Sequence, residues 1–219
     1  MRILHGTRVI EAPPFWRATL EHDGRPVVID LGAGDGRWVY DSARADSERF
    51  YLGIDPDADA LSESAFRSSR KPVRGGVNNA AFVIAAVERL PPELADIASL
   101  IRVNFPWGSL LRALLEPNAE ILRSIAALAK PGACFEIILS YHPDHDTGAF
   151  LGASLPALEL PYIEGVLVPA YHEAGLDMTQ HRRLTQDEAL AIPSNWGRRL
   201  LHARPRDVYH VGGAVSQPR

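Results

Sequence analysis

The segment Asp30-Leu31-Gly32-Ala33-Gly34-Asp35-Gly36 sets three alternating glycines among carboxylates. Glycine reaches left-handed backbone angles and lets the main chain approach a ligand with no Cβ in the way. The segment follows an apolar run, Val27-Val28-Ile29-Asp30, and precedes a stretch that can form a helix. The expected context is strand, tight turn, helix, the setting in which such glycines hold a ligand at the carboxyl edge of a sheet. Asp55 closes the next apolar run, Phe50-Tyr51-Leu52-Gly53-Ile54-Asp55. It lies near the roughly 20-residue offset at which a carboxylate accepts hydrogen bonds from ribose hydroxyls. Two other readings of these residues are an ordinary turn with Asp55 as a surface cap, and a nicotinamide-binding Rossmann loop. The spacing is Gly-x-Gly-x-Gly, however, and not the Gly-x-Gly-x-x-Gly of dinucleotide binders.

A loop of this kind, with an acidic residue closing the strand before it, resembles the first motif of class I methyltransferases. In that class the segment after the third strand holds the adenine of the cofactor, here Ala86-Val87-Glu88-Arg89-Leu90-Pro91. Backbone groups near Ala86 and Val87 would read the adenine edge. Glu88 either accepts from the adenine amino group or is a solvated loop carboxylate. Further on, Asn104-Phe105-Pro106-Trp107-Gly108-Ser109 places an indole beside the expected methyl position, and Pro193-Ser194-Asn195-Trp196-Gly197 supplies a second. Enzymes that act on a nucleic-acid base expose it and commonly hold it between aromatic faces. Core packing is the plain alternative for each Trp.

The elements that position these residues alternate. A helix is expected from Arg37 to Arg49, a second from Ala58 to Arg70, and a loop at Pro72, Gly75 and Gly76. Strands are expected over Ala80 to Ala86, Ile97 to Val103 and Cys134 to Ser140, with a helix from Ala119 to Lys130 stopped by Pro131-Gly132. Strands apolar along their length imply a mostly parallel sheet covered by helices on both faces. The fold class is thus α/β, a class I Rossmann-like domain with a seven-stranded central sheet, formed by residues 1–219 as one domain. Residues 1–20 read as a hairpin or cap extension, with Ile3 to Val9 as its strand or hairpin. Residues 143–176 and 181–205 read as inserted recognition segments, and Arg206 to Val215 as a closing strand.

The 219 residues are 46% hydrophobic and 23% charged, enough to build a substantial core. Cys134 is the single cysteine, which excludes an intramolecular disulfide and a Cys-rich zinc site. With no signal-peptide pattern at the start and no apolar run near the ~20 residues that span a bilayer, a soluble, cytosolic chain is expected. The formal net charge of -4 gives no global attraction to nucleic acid. Two local basic clusters remain: Arg67, Arg70, Lys71 and Arg74, and Arg198, Arg199, Arg204 and Arg206. Such residues bind phosphate and fix orientation, while a solvated face is the plain reading of any one of them. His142 and His145 sit in a polar loop, and no metal is assigned.

Taken together, Gly6-Thr7, Ile29-Asp30-Leu31-Gly32 with Gly34-Asp35-Gly36-Arg37, Tyr51 to Pro56, Lys71-Pro72 with Gly75-Gly76, Phe82 to Ala86, Phe105-Pro106-Trp107-Gly108, and Trp196 with Arg199-Leu200 extend over nearly the whole chain. On these residues the chain resembles the aminoglycoside-resistance methyltransferases that modify N1 of adenine 1408 in 16S ribosomal RNA. The resemblance implies S-adenosyl-L-methionine as cofactor and S-adenosyl-L-homocysteine as product. It implies cofactor contacts from Asp30, Gly32, Asp55, Ala86, Val87 and Asn104, beside which Gly34 and Glu88 stand as further cofactor candidates, and a target adenine between Trp107 and Trp196, with Ser194 holding the base or its loop. The partner it implies is 16S rRNA in the assembled 30S subunit, met by a monomer through the two basic clusters, with Arg206 near the phosphate of the flipped base. The chain departs from family members that carry a basic residue in the central insertion, because Phe150-Leu151-Gly152-Ala153-Ser154 is neutral, and it has Phe66 in the first basic stretch. The nearest rival is a tRNA guanine-N7 methyltransferase, suggested by Asn104-Phe105-Pro106-Trp107. A small-molecule methyltransferase or a catalytically silent cofactor-binding module is the rival from another class.

Overall fold

The computed structural model describes residues 1–142, 146, 155–204 and 206–216. It divides into two compact units, Met1–Arg102 with Leu128–Lys130, and Val103–Ala127 with Pro131–Arg219.

The first unit opens with the hairpin β1 (Arg2–His5) and β2 (Arg8–Glu11), followed by α1 (Trp16–Asp23), β3 (Val27–Leu31), α2 (Arg37–Ala45), β4 (Phe50–Asp55), α3 (Ala58–Ser68), β5 (Ala80–Ile84) and most of β6 (Ala98–Asn104). Its strands lie in the order β2-β1-β5-β4-β3-β6. The pairs β3/β4, β4/β5 and β3/β6 are parallel, and β1 runs antiparallel to both β2 and β5. The expected N-terminal hairpin thus exists and extends the sheet. β3 and β4 are apolar along their length because both faces are covered: Ile29, Leu52, Ile54 and Leu61 are fully buried. Each such side chain contributes roughly 1.5–3 kcal/mol.

The second unit contains α4 (Gly108–Leu115), α5 (Ala119–Ala126), most of β7 (Ala129–Leu139), α6 (Leu160–Tyr162), a π-helical turn (Ile163–Leu167), α7 (Val168–Glu173), β8 (Leu176–Arg183), α8 (Gln186–Ala191), α9 (Asn195–Ala203) and β9 (Tyr209–Val215). Its strands follow the order β7-β9-β8, all antiparallel. The four parallel strands of the first unit and these three make the expected seven. Among the described residues no helix is long and apolar enough to cross a membrane.

Several boundaries differ from the sequence reading. α4 is absent from that reading; it buries Leu110, Leu111, Ala113, Leu114 and Leu115 and leaves only a narrow polar stripe of Ser109, Arg112 and the capping Glu116. Its last carbonyls are held from outside, Leu114 O by the Tyr171 hydroxyl at 3.1 Å and Leu115 O by that of Tyr162 at 2.6 Å. Burial pushes the Tyr171 hydroxyl's pKa far up. α5 ends at Ala126 and not Lys130, and β7 runs straight through Pro131-Gly132. The 143–176 insertion carries the helical stretch 160–173, whose hydrogen-bond ladder shifts at the π turn just before Pro169, a residue without an N–H to continue it. His145 and the Phe150 to Ser154 stretch lie outside the described residues. α2 stops at Ala45 and not Arg49, and one side chain accounts for this. Asn79 is 2% exposed, and its amide nitrogen donates to the carbonyls of Ala43 at 3.0 Å, Asp46 at 2.8 Å and Arg49 at 3.0 Å. It captures the end of α2 and turns the chain into β4.

Replacing Asn79 with Ala removes the donor from one buried and two partly buried carbonyl contacts, and each orphaned buried polar group costs about 1–3 kcal/mol. We expect Asn79→Ala to destabilise the fold by about 2–3 kcal/mol in urea titration. A loss within error of zero would show that water replaces the amide.

Candidate functional site

In the first unit the site is built from the β3–α2 turn. Gly32, Gly34 and Gly36 have φ of 77°, 56° and 64°, so all three sit in the left-handed region that side chains avoid. They differ in surroundings. A Cβ on Gly36 would lie 2.7 Å from Cε1 of Phe82, so close packing of α2 also requires glycine there. A Cβ on Gly34 would meet nothing within 4 Å, so that residue faces open space. Gly32 N and Ala33 N both donate to Ile54 O, at 2.8 and 3.1 Å, which ties the turn to the end of β4.

Asp55 completes this tie. One carboxylate oxygen accepts from Gly34 N at 2.8 Å and the other from Asp57 N at 2.9 Å. Burial raises its pKa above the ordinary 3.8, against the lowering effect of these two N–H groups. Each oxygen keeps a further lone pair, so the carboxylate that shapes the loop can also receive hydroxyl donors. Asp30 is buried at the end of β3, paired in register with Gly53. Ala86 precedes a single 3-10 turn, Val87–Arg89, in which the Val87 side chain is buried and Glu88 is exposed. The backbone of Ala86 and Val87 and the exposed Glu88 carboxylate are therefore what this turn offers a ligand in place of the Val87 side chain. A hydrogen-bonding cofactor with a ribose fits this set: an open glycine cradle beside a carboxylate with unused lone pairs.

In the second unit Asn104 ends β6, half-buried. Trp107, half-buried, precedes α4, and Trp196, 41% exposed, lies in the first turn of α9. The structure brings the two indoles together: their centroids are 5.6 Å apart and their planes meet at 75°. Beneath them Phe105 is buried with φ of 49°, an unusual value for a bulky side chain. Ser194 caps α9, its Oγ accepting from Gly197 N at 3.0 Å, so its visible task is to hold the loop.

The basic residues separate on inspection. In the first unit Arg70, Lys71 and Arg74 are exposed, while Arg67 is tied to Glu63 one turn back. In the second, Arg198 and Arg199 project from α9, Arg198 bonding to Asn195 at 2.8 Å, and Arg204 is exposed. Arg206 is different. Its side chain is 4% exposed and pairs with the equally buried Asp146 at 3.1 and 3.0 Å, and Asp146 also accepts from His142 N. Sequence reasoning missed Asp146, Phe105 and Gly197 as parts of the site; Phe105 and Gly197 at least adjoin the tryptophan motifs. Among the described residues no cluster of three His, Cys, Asp or Glu side chains is placed to hold a metal ion.

Comparison with known proteins fits this geometry. The family model described as 16S rRNA (adenine(1408)-N(1))-methyltransferase matches residues 2–215. A relative of that name from Escherichia coli is 35% identical over 218 residues, covering 99% of this chain and 100% of the relative. The crystal structure of a variant of the Catenulisporales acidiphilia 16S rRNA (adenine(1408)-N(1))-methyltransferase with its cosubstrate SAM superposes with a TM-score of 0.89 at 29% identity. It covers 100% of this chain and 98% of that one. The aminoglycoside resistance methyltransferase NpmB1 superposes with a TM-score of 0.81 at 38% identity, with 98% of each chain covered. Glycine cradle, tryptophan pair and full-length likeness agree, and the chain belongs to the 16S rRNA (adenine(1408)-N(1))-methyltransferase family.

Proposed function

We propose that this chain methylates N1 of adenine 1408 in 16S rRNA of the assembled 30S subunit, with the adenine flipped out and stacked between Trp107 and Trp196, and so confers aminoglycoside resistance. It uses S-adenosyl-L-methionine, leaves S-adenosyl-L-homocysteine, needs no metal, and acts in the cytoplasm as a monomer. The observation that carries this reading is the contact between the two indoles at an exposed helix start.

The bound cofactor supplies an electrophilic methyl group on a sulfonium. The protein's own contribution is position. Asp55 receives the ribose hydroxyls while keeping Gly34 and the turn in place. Asp30, Gly32, Asn104 and the backbone of Ala86 and Val87 complete the cofactor contacts, with Glu88 at the adenine amino group. Adenine N1 has a free lone pair once unpaired, so no side chain is needed as its base. A base held between two ring faces needs those faces about 7 Å apart, twice the ~3.5 Å contact distance. The indoles stand edge-to-face and closer than that, so one must swing, and the more exposed Trp196 is the mobile partner. The methylated base is cationic, and indole faces stabilise a desolvated cation by about 2 kcal/mol. Docking falls to Arg67, Arg70, Lys71 and Arg74 and to Arg198, Arg199 and Arg204, which bind phosphate. Arg206 joins them only on leaving Asp146.

Three outcomes follow. Asp55→Ala should weaken cofactor binding by about 1.5–3 kcal/mol in calorimetric titration, the range for a hydrogen bond to a charged group. Because the ribose bonds favour the ionised carboxylate, affinity of the native protein should fall as pH drops into and through the raised pKa, above 3.8, and Asp55→Asn should lack that step. Unchanged affinity in a folded Asp55→Ala variant removes the residue from the cofactor site.

Neutralising Arg70, Lys71 and Arg74 together should weaken 30S binding and reduce its salt slope by about 3, near one unit per phosphate contact, while cofactor affinity stays as it was. A slope equal to that of the native protein would make this segment a solvated face. For the stack, Trp107→Ala and Trp196→Ala should each keep fold, cofactor binding and most 30S affinity, yet lose much of the methyl incorporation at adenine 1408. Phe at either position should retain more activity than Ala, since it keeps a π-face. Full methylation by both Ala variants would sink the mechanism, and 30S binding lost in step with activity would turn the two residues into docking groups.

A further inference from the structure

Gly197 is the third residue of α9, and its φ is an ordinary one, so the backbone there does not require glycine. Inside a helix glycine is also the poorer choice, because it orders more chain entropy than alanine does. What excludes a side chain is Phe105. A Cβ on Gly197 would lie 2.3 Å from Cε2, 2.4 Å from Cδ2 and 2.9 Å from Cζ of the Phe105 ring. The ring cannot withdraw. It is 2% exposed, packs in one cluster with Ile138, Ala189, Leu200 and Val208, and its N–H donates to Ile138 O at 2.9 Å. Its left-handed φ of 49° aims it at α9, a direction an extended backbone would not give.

Trp107 lies two residues beyond Phe105, and Trp196 is next to Gly197. We propose that Phe105 and Gly197 are positioning residues, a ring seated on bare helix backbone that sets the spacing and tilt of Trp107 and Trp196; the catalytic consequence rests on those indoles being the stack for the target adenine. Any side chain at 197 lifts the start of α9, and Trp196 with it, away from the Trp107 segment. A smaller residue at 105 leaves the same start unsupported. Displacements near 1 Å at a reacting centre cost on the order of 10²-fold in rate.

The test uses the full chain as Gly197→Ala, Phe105→Leu and the two combined. Its first readout needs no RNA: two indoles 5.6 Å apart couple their absorption bands, and the coupled circular-dichroism signal is defined as the part lost in Trp107→Phe. The second readout is single-turnover methyl transfer to purified 30S subunits, with subunit and cofactor affinities measured alongside. Gly197→Ala should change the coupled signal and slow the chemical step by about 10²-fold with both affinities kept, and Phe105→Leu in the same chain should restore much of each. Phe105→Leu alone, which creates slack and no clash, should weaken the coupled signal, and it decides the matter if Gly197→Ala does not fold. An unchanged coupled signal in a folded single variant overturns the proposal, as does a double variant no closer to the native protein than Gly197→Ala. A signal that shifts and recovers as expected, with no methylation of adenine 1408 even by the native protein, supports the spacer and refutes instead the assignment of the stack.

Discussion

The Asp55 carboxylate holds the glycine turn in the one shape that the rest of the first unit is arranged to serve. Both of its oxygens are engaged by main-chain N–H groups, from Gly34 on the β3–α2 side and from Asp57 on the β4–α3 side. The two connections of the first βαβ unit are thereby joined at the edge of the parallel sheet, where ligands of such sheets bind. The arrangement explains the glycines around it: Gly34 bends back to reach the carboxylate and faces open space, while Gly36 and Gly53 are kept small by Phe82. Burial raises the cost of ionising Asp55, and the two N–H donors partly offset it. A carboxylate held in this manner is costly to the free protein and better matched once further donors arrive, which is the electrostatic condition for tight recognition of a diol.

What was legible in the sequence is what local chemistry determines. The strand Phe50–Asp55 and the turn after Val27–Leu31 are written in apolar runs that end at carboxylates and glycines, and both lie where the pattern places them. α2 is legible at its start but not its end, since the end is fixed by Asn79, which lies 33 to 36 residues from two of its three acceptors. α4 is less legible because it is only eight residues long and five of them are buried apolar side chains, which leaves a narrow polar stripe of Ser109 and Arg112. Lys130-Pro131-Gly132 reads locally as a helix stop, yet the sheet takes it as strand, so tertiary pairing overrides turn chemistry there. In the candidate site, the types of Trp107 and Trp196 were readable, but not their mutual contact, which on the proposal above depends on a ring at 105 meeting a glycine 92 residues later.

Charge shows the same division. A sequence count treats every arginine alike, whereas the structure separates them by partner. Arg206 is held in a dry pair with Asp146, 60 residues away, and among the described residues its Nε has no hydrogen-bond partner. A buried arginine with an unsatisfied donor is costly to keep. Arg70, Lys71 and Arg74 instead stand in water, where phosphate binding requires little desolvation. The two kinds of cation suit different stages of an encounter: exposed ones act at a distance and before close contact, and a buried one only after its present partner is exchanged for another anion. The formal net charge of -4 is no obstacle, because association is steered by the local field.

In the proposed stacking mechanism, the closed tryptophan pair sets the order of those stages. Edge-to-face contact between two indoles is worth about 0.5–1.5 kcal/mol beyond the area it buries, and it covers aromatic surface that would otherwise meet solvent. Opening the pair without a base to receive forfeits that amount and exposes apolar area at the start of α9. Inserting a base returns about 1–3 kcal/mol through stacking, but unstacking the same base from its helix costs a few kcal/mol. Those quantities nearly cancel, so the indoles alone cannot draw a paired base out of RNA. Under the proposed docking, the surplus comes from phosphate contacts made beforehand by the basic clusters, which carry no information about the base. On that proposal, selection of the nucleotide resides in whether a docked RNA presents an adenine at the one place where opening the pair is no longer a net loss.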